Sequence, residues 1–133
     1  MSLKIDPVMA RYLAVGAGGV VGALLRFGVI ESIGSADPTQ FPWDTLTVNL
    51  LGSLVIGLFF RYWRSLLNDR RPDFQRLFFT TGVLGGFTTF STLSLDSAEL
   101  FRHDAWLNGL IYLAATLLGG LALAAVGYGY RRR

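Results

Sequence analysis

The sequence predicts an all-α membrane protein with four transmembrane helices, the third of which is broken at its centre. Hydrophobic residues make up 52% of the 133 residues and charged residues only 16%, against roughly 25% in an average soluble domain. Four long uncharged stretches follow one another along the chain. A bilayer core of about 30 Å needs about 20 helical residues per crossing. Four crossings use most of the chain, so we expect residues 1–133 to form one integral membrane domain.

The composition excludes several classes of function. The chain has no cysteine, which excludes disulfides, thiolate metal sites and a cysteine nucleophile. One histidine, His103, is too few for a zinc site built on imidazoles. The net charge is +3, but the basic residues lie at the edges of apolar stretches and not on one surface, so we expect no nucleic-acid binding. Neither a Ser-His-Asp arrangement nor a paired-carboxylate site can be placed, so we expect no enzyme.

The first span covers about Arg11 to Ile30, because fourteen uncharged residues separate Arg11 from Arg26. Gly18 and Gly22 are small residues four positions apart, a spacing that lets helix backbones approach closely. Arg26 is the only charge well inside a hydrophobic stretch. Its side chain either extends to the membrane interface or faces a vestibule.

The second span covers about Thr45 to Phe60 and carries a polar stripe. Thr45, Asn49 and Ser53 recur every four residues, so they share one helix face. A polar side chain in hydrocarbon needs a partner or water. The stripe therefore indicates either hydrogen bonds between helices or the lining of a pathway, and Asn49 is the strongest candidate for the pathway.

The third span, about Phe74 to Phe101, is the strongest local signal. Its centre, residues 81–92, contains three glycines and five Thr or Ser residues, which are poor material for a continuous helix. Irregular backbone at bilayer depth is tolerated only where protein or a water-filled cavity satisfies it. One interpretation is an ion site formed by carbonyls of residues such as Gly85 and Thr88. The other is a tight helix crossing with hydroxyls bonded back to carbonyls.

The fourth span covers about Ala105 to Tyr130, with twenty-six uncharged residues. Tyr112 and Thr116 lie four apart and form a second polar stripe. Asp96 and Glu99 fall at the far end of the third span, where we expect an interfacial position. No carboxylate lies at the centre of a span, so no proton-coupling residue is evident.

The basic residues predict one main orientation. Ten of the twelve Lys and Arg residues fall on the side that holds both chain ends and the second loop, and only Arg26 and Arg102 fall on the other. Such a bias predicts that the amino and carboxyl ends face the cytoplasm.

Three motifs resemble the CrcB (Fluc) fluoride channel family. They are Gly-Ala-Leu-Leu-Arg at 22–26, Thr-Leu-Thr-Val-Asn-Leu-Leu-Gly-Ser at 45–53, and Gly-Gly-Phe-Thr-Thr-Phe-Ser-Thr at 85–92. Their order, their spacing and the four-span layout fit the family over essentially the whole chain. The third motif, in a broken third helix, is the most specific of the three.

The resemblance implies a passive fluoride channel, multi-pass in the cell inner (plasma) membrane, that lowers cytoplasmic fluoride. It also implies an antiparallel dual-topology dimer, surrounded by lipid, with two pores and one structural sodium ion at the dimer interface. Carried over by motif, the backbone carbonyls of Gly85 and Thr88 would bind sodium. The pore would be formed by the following residues: Asn49, Phe90, Leu93, Tyr112 and Thr116. Arg26 would lie at the vestibule.

One position departs from the family pattern. The family usually has a second phenylalanine three residues after Phe90, and here that position is Leu93. An aliphatic side chain lacks the positively polarised edge of an aromatic ring. Together with the bias in orientation, the departure makes a paralogous subunit with the opposite orientation the alternative partner, while we expect a second copy of this chain because the sodium motif is intact.

Two other classes of protein compete with the channel. A small proton-coupled multidrug exporter would need a membrane-embedded carboxylate in the first span, which this chain lacks. A helical assembly factor that transports nothing would leave the broken third span without a purpose.

Fluoride is small and strongly hydrated, so a narrow pore needs hydrogen-bond donors such as the Asn49 amide to replace water.

Overall fold

The chain is all-helical in a computed structural model, which describes residues 6–34, 40–65 and 73–129. Its long helices are α1 (Pro7–Ile33), α2 (Trp43–Ser65) and α6 (Trp106–Tyr128). The third segment consists of α3 (Asp73–Leu77), a π-helical segment (Phe78–Leu84), α4 (Gly85–Phe87) and α5 (Phe90–Arg102). The basic second loop and the arginine tail that we used to predict the orientation lie largely outside the described residues.

Three helices are long and apolar enough to cross a membrane: Pro7–Ile33, Trp43–Trp63 and Trp106–Tyr128. The third predicted span is present as a bent helical segment, and none of its pieces is long enough to cross by itself. The all-helical prediction is therefore confirmed, with three continuous spans and a fourth that is interrupted as expected.

The first two helices extend beyond the predicted spans of residues 11–30 and 45–60. Asp6 starts α1 by accepting a hydrogen bond from the Val8 N–H at 2.9 Å, with Pro7 in the first helical position. Gly34 ends α1 with a φ of 87°, which favours glycine. The predicted limits were too short because charged residues mark the edge of the hydrocarbon, whereas the helix continues into the interface.

The break in the third segment is narrower than predicted. Gly82, Gly85 and Gly86 are all helical, and only Thr88 and Thr89 adopt extended backbone, with ψ of 159° and 123°. The glycines serve another purpose, because a Cβ at Gly82 would come within 2.8 Å of the Gly18 Cα, and one at Gly86 within 3.1 Å of the Gly19 Cα. Because these glycines have no side chain, the backbones of α1 and the third segment come into direct contact where the two cross.

The second and sixth helices pack along their length with the polar stripes between them. Gly57 lies against Ala124, and Gly127 lies against Leu54, so the backbones approach closely at one end. Further along, Gly120 lies on the same face of α6 as Thr116, one turn later, and a Cβ there would lie 3.1 Å from the Ser53 Oγ, so the two stripes lie face to face. Both stripes therefore point into the bundle, as the sequence predicted.

Candidate functional site

The break in the third segment is held by one side chain from another helix. The Asn49 amide donates from Nδ2 to the Thr89 carbonyl at 3.0 Å, and its Oδ1 accepts from the Thr89 N–H at 2.9 Å. The bond to Oδ1 satisfies the Thr89 N–H, which the break removes from the helix ladder, and the bond from Nδ2 gives a second donor to the Thr89 carbonyl, the N-cap carbonyl of α5. Asn49 retains one further N–H on the same amide nitrogen. It is therefore a structural clamp as well as a donor at the site.

Hydroxyl groups start the helix that follows the break. The Thr89 Oγ1 accepts from the Thr92 N–H at 3.1 Å, the usual bond of a helix N-cap. The same oxygen lies 2.9 Å from the Thr92 Oγ1 and 3.2 Å from the Ser91 Oγ. Thr88 bonds the other way, donating from Oγ1 to the Leu84 carbonyl at 3.0 Å. Thr89 thus caps the N-terminus of α5, and Thr88 bonds back to the helix that ends at the break.

An open groove of about 390 Å³ runs beside the break. It is lined by residues from α2, from both sides of the break and from α6. Six of the predicted site residues line this groove: Asn49, Gly85, Thr88, Phe90, Leu93 and Thr116. Tyr112 and Arg26 do not. The structure thus brings most of the predicted pore and sodium residues to one place.

Phe90 and Leu93 differ in their exposure within the single subunit. Phe90 is 77% exposed, although it lies at the centre of the third segment. Leu93 is only 4% exposed and packs in the apolar core with Leu46, Leu100 and Tyr112. Leu93 is therefore packed within its own subunit, whereas the exposed Phe90 ring is free to contact another molecule at the groove.

Tyr112 is fully buried and its hydroxyl donates to Asp96 Oδ2 at 3.0 Å. The Thr116 hydroxyl donates back to the Tyr112 carbonyl at 2.8 Å, so the predicted stripe of α6 is continuous. Asp96, which we expected at the membrane interface, is a half-buried carboxylate that accepts the bond at the end of the stripe. The signal was available: Asp96 lies three residues after Leu93 and four before Leu100, both of which are buried.

Arg26 lies on α1, away from the groove. It follows Gly22 by one helical turn, and Gly22 packs against the backbone of Val83 and Phe87. The Arg26 side chain is half-buried. Both roles predicted for Arg26, at the membrane interface or in a vestibule, stay predictions.

Carbonyl oxygens are the cation ligands that this site offers. Within residues 6–34, 40–65 and 73–129 there is no group of three His, Cys, Asp or Glu side chains that could hold a metal ion. Thr89 N–H bonds to Asn49 and not to the Gly85 carbonyl four residues earlier. Gly85 is exposed and a Cβ there would meet nothing within 4 Å. The Gly85 carbonyl thus lacks its usual helical donor at an exposed residue, and a carbonyl oxygen is the kind of donor that suits a hard cation.

Comparisons with known proteins agree on one family. The family of CrcB-like proteins (camphor resistance, CrcB) matches residues 13–128. A protein of Thermus thermophilus named fluoride-specific ion channel FluC is 43% identical over 120 residues, covering 90% of this chain and 94% of that protein. A protein of the same name from Rhizobium meliloti is 42% identical over 119 residues, covering 89% and 91%. One from Hyphomonas neptunium is 39% identical over 125 residues, covering 94% and 98%.

These matches cover both polar stripes, the glycine crossing and the broken third segment, so they concern the whole arrangement described above and not a fragment of it. The spanning helices and the family together make the chain a multi-pass membrane protein. The chain belongs to the CrcB-like family.

Proposed function

We propose that this chain is a subunit of a passive, fluoride-selective channel that lowers cytoplasmic fluoride. The observation that carries the proposal is the identity of 43% over nine-tenths of the chain to a protein named fluoride-specific ion channel FluC. The groove beside the broken segment agrees with it, because donors and an aromatic ring line a membrane-embedded surface. The protein is a transporter and not an enzyme.

The groove offers fluoride the kind of contacts that replace water. The Asn49 amide keeps one N–H after its bond to Thr89. The Phe90 ring can turn its positively polarised edge toward an anion. Neither group carries a full positive charge, so the anion can be bound without being trapped. We assign Asn49, Phe90, Leu93 and Thr116 to the pore wall, and Tyr112 to the support of Thr116.

The open face of the groove supports an antiparallel dimer. Phe90, at 77% exposure, would otherwise stand alone on the surface of a single subunit. A second copy inserted in the opposite direction would cover Phe90 and Gly85 and would close the groove into a pore. A paralogous subunit with the reverse orientation would do the same, and it is the alternative partner because the bias of ten basic residues to two makes this chain insert mainly one way.

The carbonyls of Gly85 and Thr88 are the proposed ligands of a structural sodium ion at that interface. One subunit supplies two such oxygens at the end of α4, and two antiparallel copies supply four. When bound, the ion would neutralise the carbonyl dipoles that face each other across the interface. Both the sodium and its place in the dimer rest on the proposed function. The side that holds the chain ends would face the cytoplasm, in the cell inner membrane.

Fluoride efflux from liposomes tests the function. Vesicles that contain only the purified chain and are loaded with potassium fluoride should release fluoride when valinomycin carries the balancing potassium. Vesicles loaded with potassium chloride should release almost no chloride under the same conditions. Equal rates for the two ions would contradict selectivity for fluoride. No release of either ion from a folded dimer would contradict the channel formed by one kind of chain.

A further inference from the structure

Thr88, the first of the two extended residues at the break, is held by three of its own groups. Its N–H donates to the Leu84 carbonyl at 3.0 Å, and its hydroxyl donates to the same oxygen at 3.0 Å. Its methyl group packs on α2, because a Cβ at Gly52 would overlap the Thr88 Cγ2. The methyl group therefore occupies a space beside the α2 backbone that only glycine leaves open.

Gly52 is buried and lies three residues after Asn49 on the same face of α2. Asn49 bonds to the main chain of Thr89, and Gly52 accommodates the side chain of Thr88. The next nearest atoms to a Cβ at Gly52 are Phe87 Cδ1 at 3.4 Å and Thr88 Cβ at 3.7 Å, which are ordinary contact distances. The crowding at Gly52 therefore comes from one methyl group.

The direction of the Thr88 carbonyl follows from the neighbouring bond. The peptide bond between Thr88 and Thr89 is trans, so its C=O points opposite to its N–H. That N–H donates to Asn49 Oδ1 at 2.9 Å. The Thr88 carbonyl therefore points away from Asn49. Because the N–H, hydroxyl and methyl groups of Thr88 are committed within the subunit, the carbonyl is the group that remains for a ligand.

We propose that Gly52 is a positioning residue of the proposed sodium site. By accommodating the Thr88 methyl group, Gly52 lets the Thr88 hydroxyl reach Leu84 and keeps the following peptide in the orientation that Asn49 binds. The Thr88 carbonyl is thereby preorganised as a ligand, which lowers the cost of binding. The inference rests on the proposed function, which supplies the cation, and Gly52 acts on that cation only through Thr88.

Moving one methyl group between the two residues tests the proposal. Gly52→Ala adds a methyl group where that of Thr88 lies, and Thr88→Ser removes the Thr88 methyl group but keeps the hydroxyl. The thermal unfolding midpoint of the purified full-length protein is measured while sodium replaces a large organic cation at constant ionic strength. A ligand that binds only the folded protein raises this midpoint. The sodium concentration at which the midpoint begins to rise therefore reports the affinity of each variant.

The two substitutions should each weaken sodium binding, and together they should compensate. Gly52→Ala should require about tenfold more sodium, as is typical when a residue that supports a metal ligand is changed. Thr88→Ser should also require more sodium, because the gap beside Gly52 frees its side chain. The double variant again has one methyl group in this space, so it should require less sodium than either single variant.

Gly119→Ala is the matched control. A Cβ at Gly119 would lie 3.0 Å from Leu50 Cδ2, at the contact between α6 and α2, and Gly119 does not line the groove beside the break. Its sodium requirement should equal that of the wild-type protein. If Gly52→Ala lowers the midpoint at every sodium concentration but leaves the sodium requirement unchanged, Gly52 is only structural and the proposal is wrong.

The double variant gives a second, independent decision. A double variant that needs as much sodium as Gly52→Ala would overturn the proposal. If Gly52→Ala alone fails to fold, the double variant must still need less sodium than Thr88→Ser, and an equal requirement would overturn the proposal. A wild-type midpoint that does not respond to sodium would overturn both this proposal and the sodium site. Fluoride efflux from liposomes with the same wild-type preparation reports separately on the channel.

Discussion

Replacing Asn49 with leucine removes the two hydrogen bonds that hold the main chain of Thr89, at 3.0 and 2.9 Å. Leucine has the same branching and the same number of heavy side-chain atoms as asparagine, so it fits the same place between α2 and the third segment. The Thr89 N–H would be left without a partner in a buried position, whereas the Thr89 C=O, as the N-cap carbonyl of α5, would keep the first bond of that helix. An unsatisfied buried group costs about 1–3 kcal/mol and a lost additional hydrogen bond about 0.5–1.5 kcal/mol, so we expect Asn49→Leu to lower the free energy of unfolding by roughly 2–4 kcal/mol.

Two further variants separate the clamp from general effects of the site. Asn49→Asp keeps an acceptor for the Thr89 N–H and removes only the second donor to the Thr89 carbonyl, so less than half of the loss is expected. Ser53→Ala is the matched control, because Ser53 lies one turn further along α2 and lines the same groove, while both bonds to the Thr89 main chain come from Asn49. Its cost should be about 1 kcal/mol or less.

Unfolding of the protein in mixed detergent micelles measures these free energies, and fluoride efflux from liposomes measures the function of the same preparations. We expect Asn49→Asp to lose more flux than its stability accounts for, because a carboxylate in the groove repels an anion. If Asn49→Leu costs no more than Ser53→Ala, the break is not held by Asn49. The two hydrogen bonds would then contribute little to the free energy of unfolding.

Three other predictions concern the pore, the cation and the orientation. Phe90→Ile should fold normally, because Phe90 is largely exposed within the subunit. Fluoride flux should fall about tenfold if the ring edge stabilises the permeating ion by roughly 1.4 kcal/mol. Unchanged flux would show that Phe90 is not part of the pore wall. Thr88→Val keeps the Thr88 carbonyl and loses only the side-chain bond to Leu84, so this variant should still conduct fluoride when sodium is present. The wild-type protein should stop conducting when sodium is replaced by a large organic cation. Equal wild-type flux with and without sodium would contradict the sodium site. Tags at both ends of the singly expressed chain should be accessible mainly from the cytoplasm, and equal labelling from both sides of the membrane would contradict the predicted orientation.

The glycines of the third segment show what a sequence pattern leaves undecided. Gly82 and Gly86 suggested a broken helix, but they are helical and allow α1 to approach. Only Thr88 and Thr89 leave the helix. Glycine weakens a helix and also permits close packing, so composition alone supports both the ion site and the tight crossing. The structure contains both features, at different residues.

Long-range partners were the other feature beyond the reach of the sequence. Helical periodicity correctly placed Asn49 and Tyr112 on inward-facing stripes, because that spacing is local. It could not show that Asn49 clamps Thr89, forty residues away, or that Tyr112 donates to Asp96. Those bonds depend on how three helices are arranged relative to one another. The polar character of each residue was predictable, and its partner was not.

The hydrogen bonds around the groove limit the number of donors that one subunit can offer a fluoride ion. The hydroxyls of Thr88 and Thr116 both donate to carbonyls one turn earlier on their own helices, and Tyr112 donates to Asp96. A hydroxyl has one hydrogen to donate, so these three are committed within the subunit. Of the predicted pore residues, only Asn49 keeps an uncommitted N–H, which is too little to replace the water around fluoride. We therefore expect a single subunit to form only one wall of the pathway, and the partner to supply the remaining contacts to the ion.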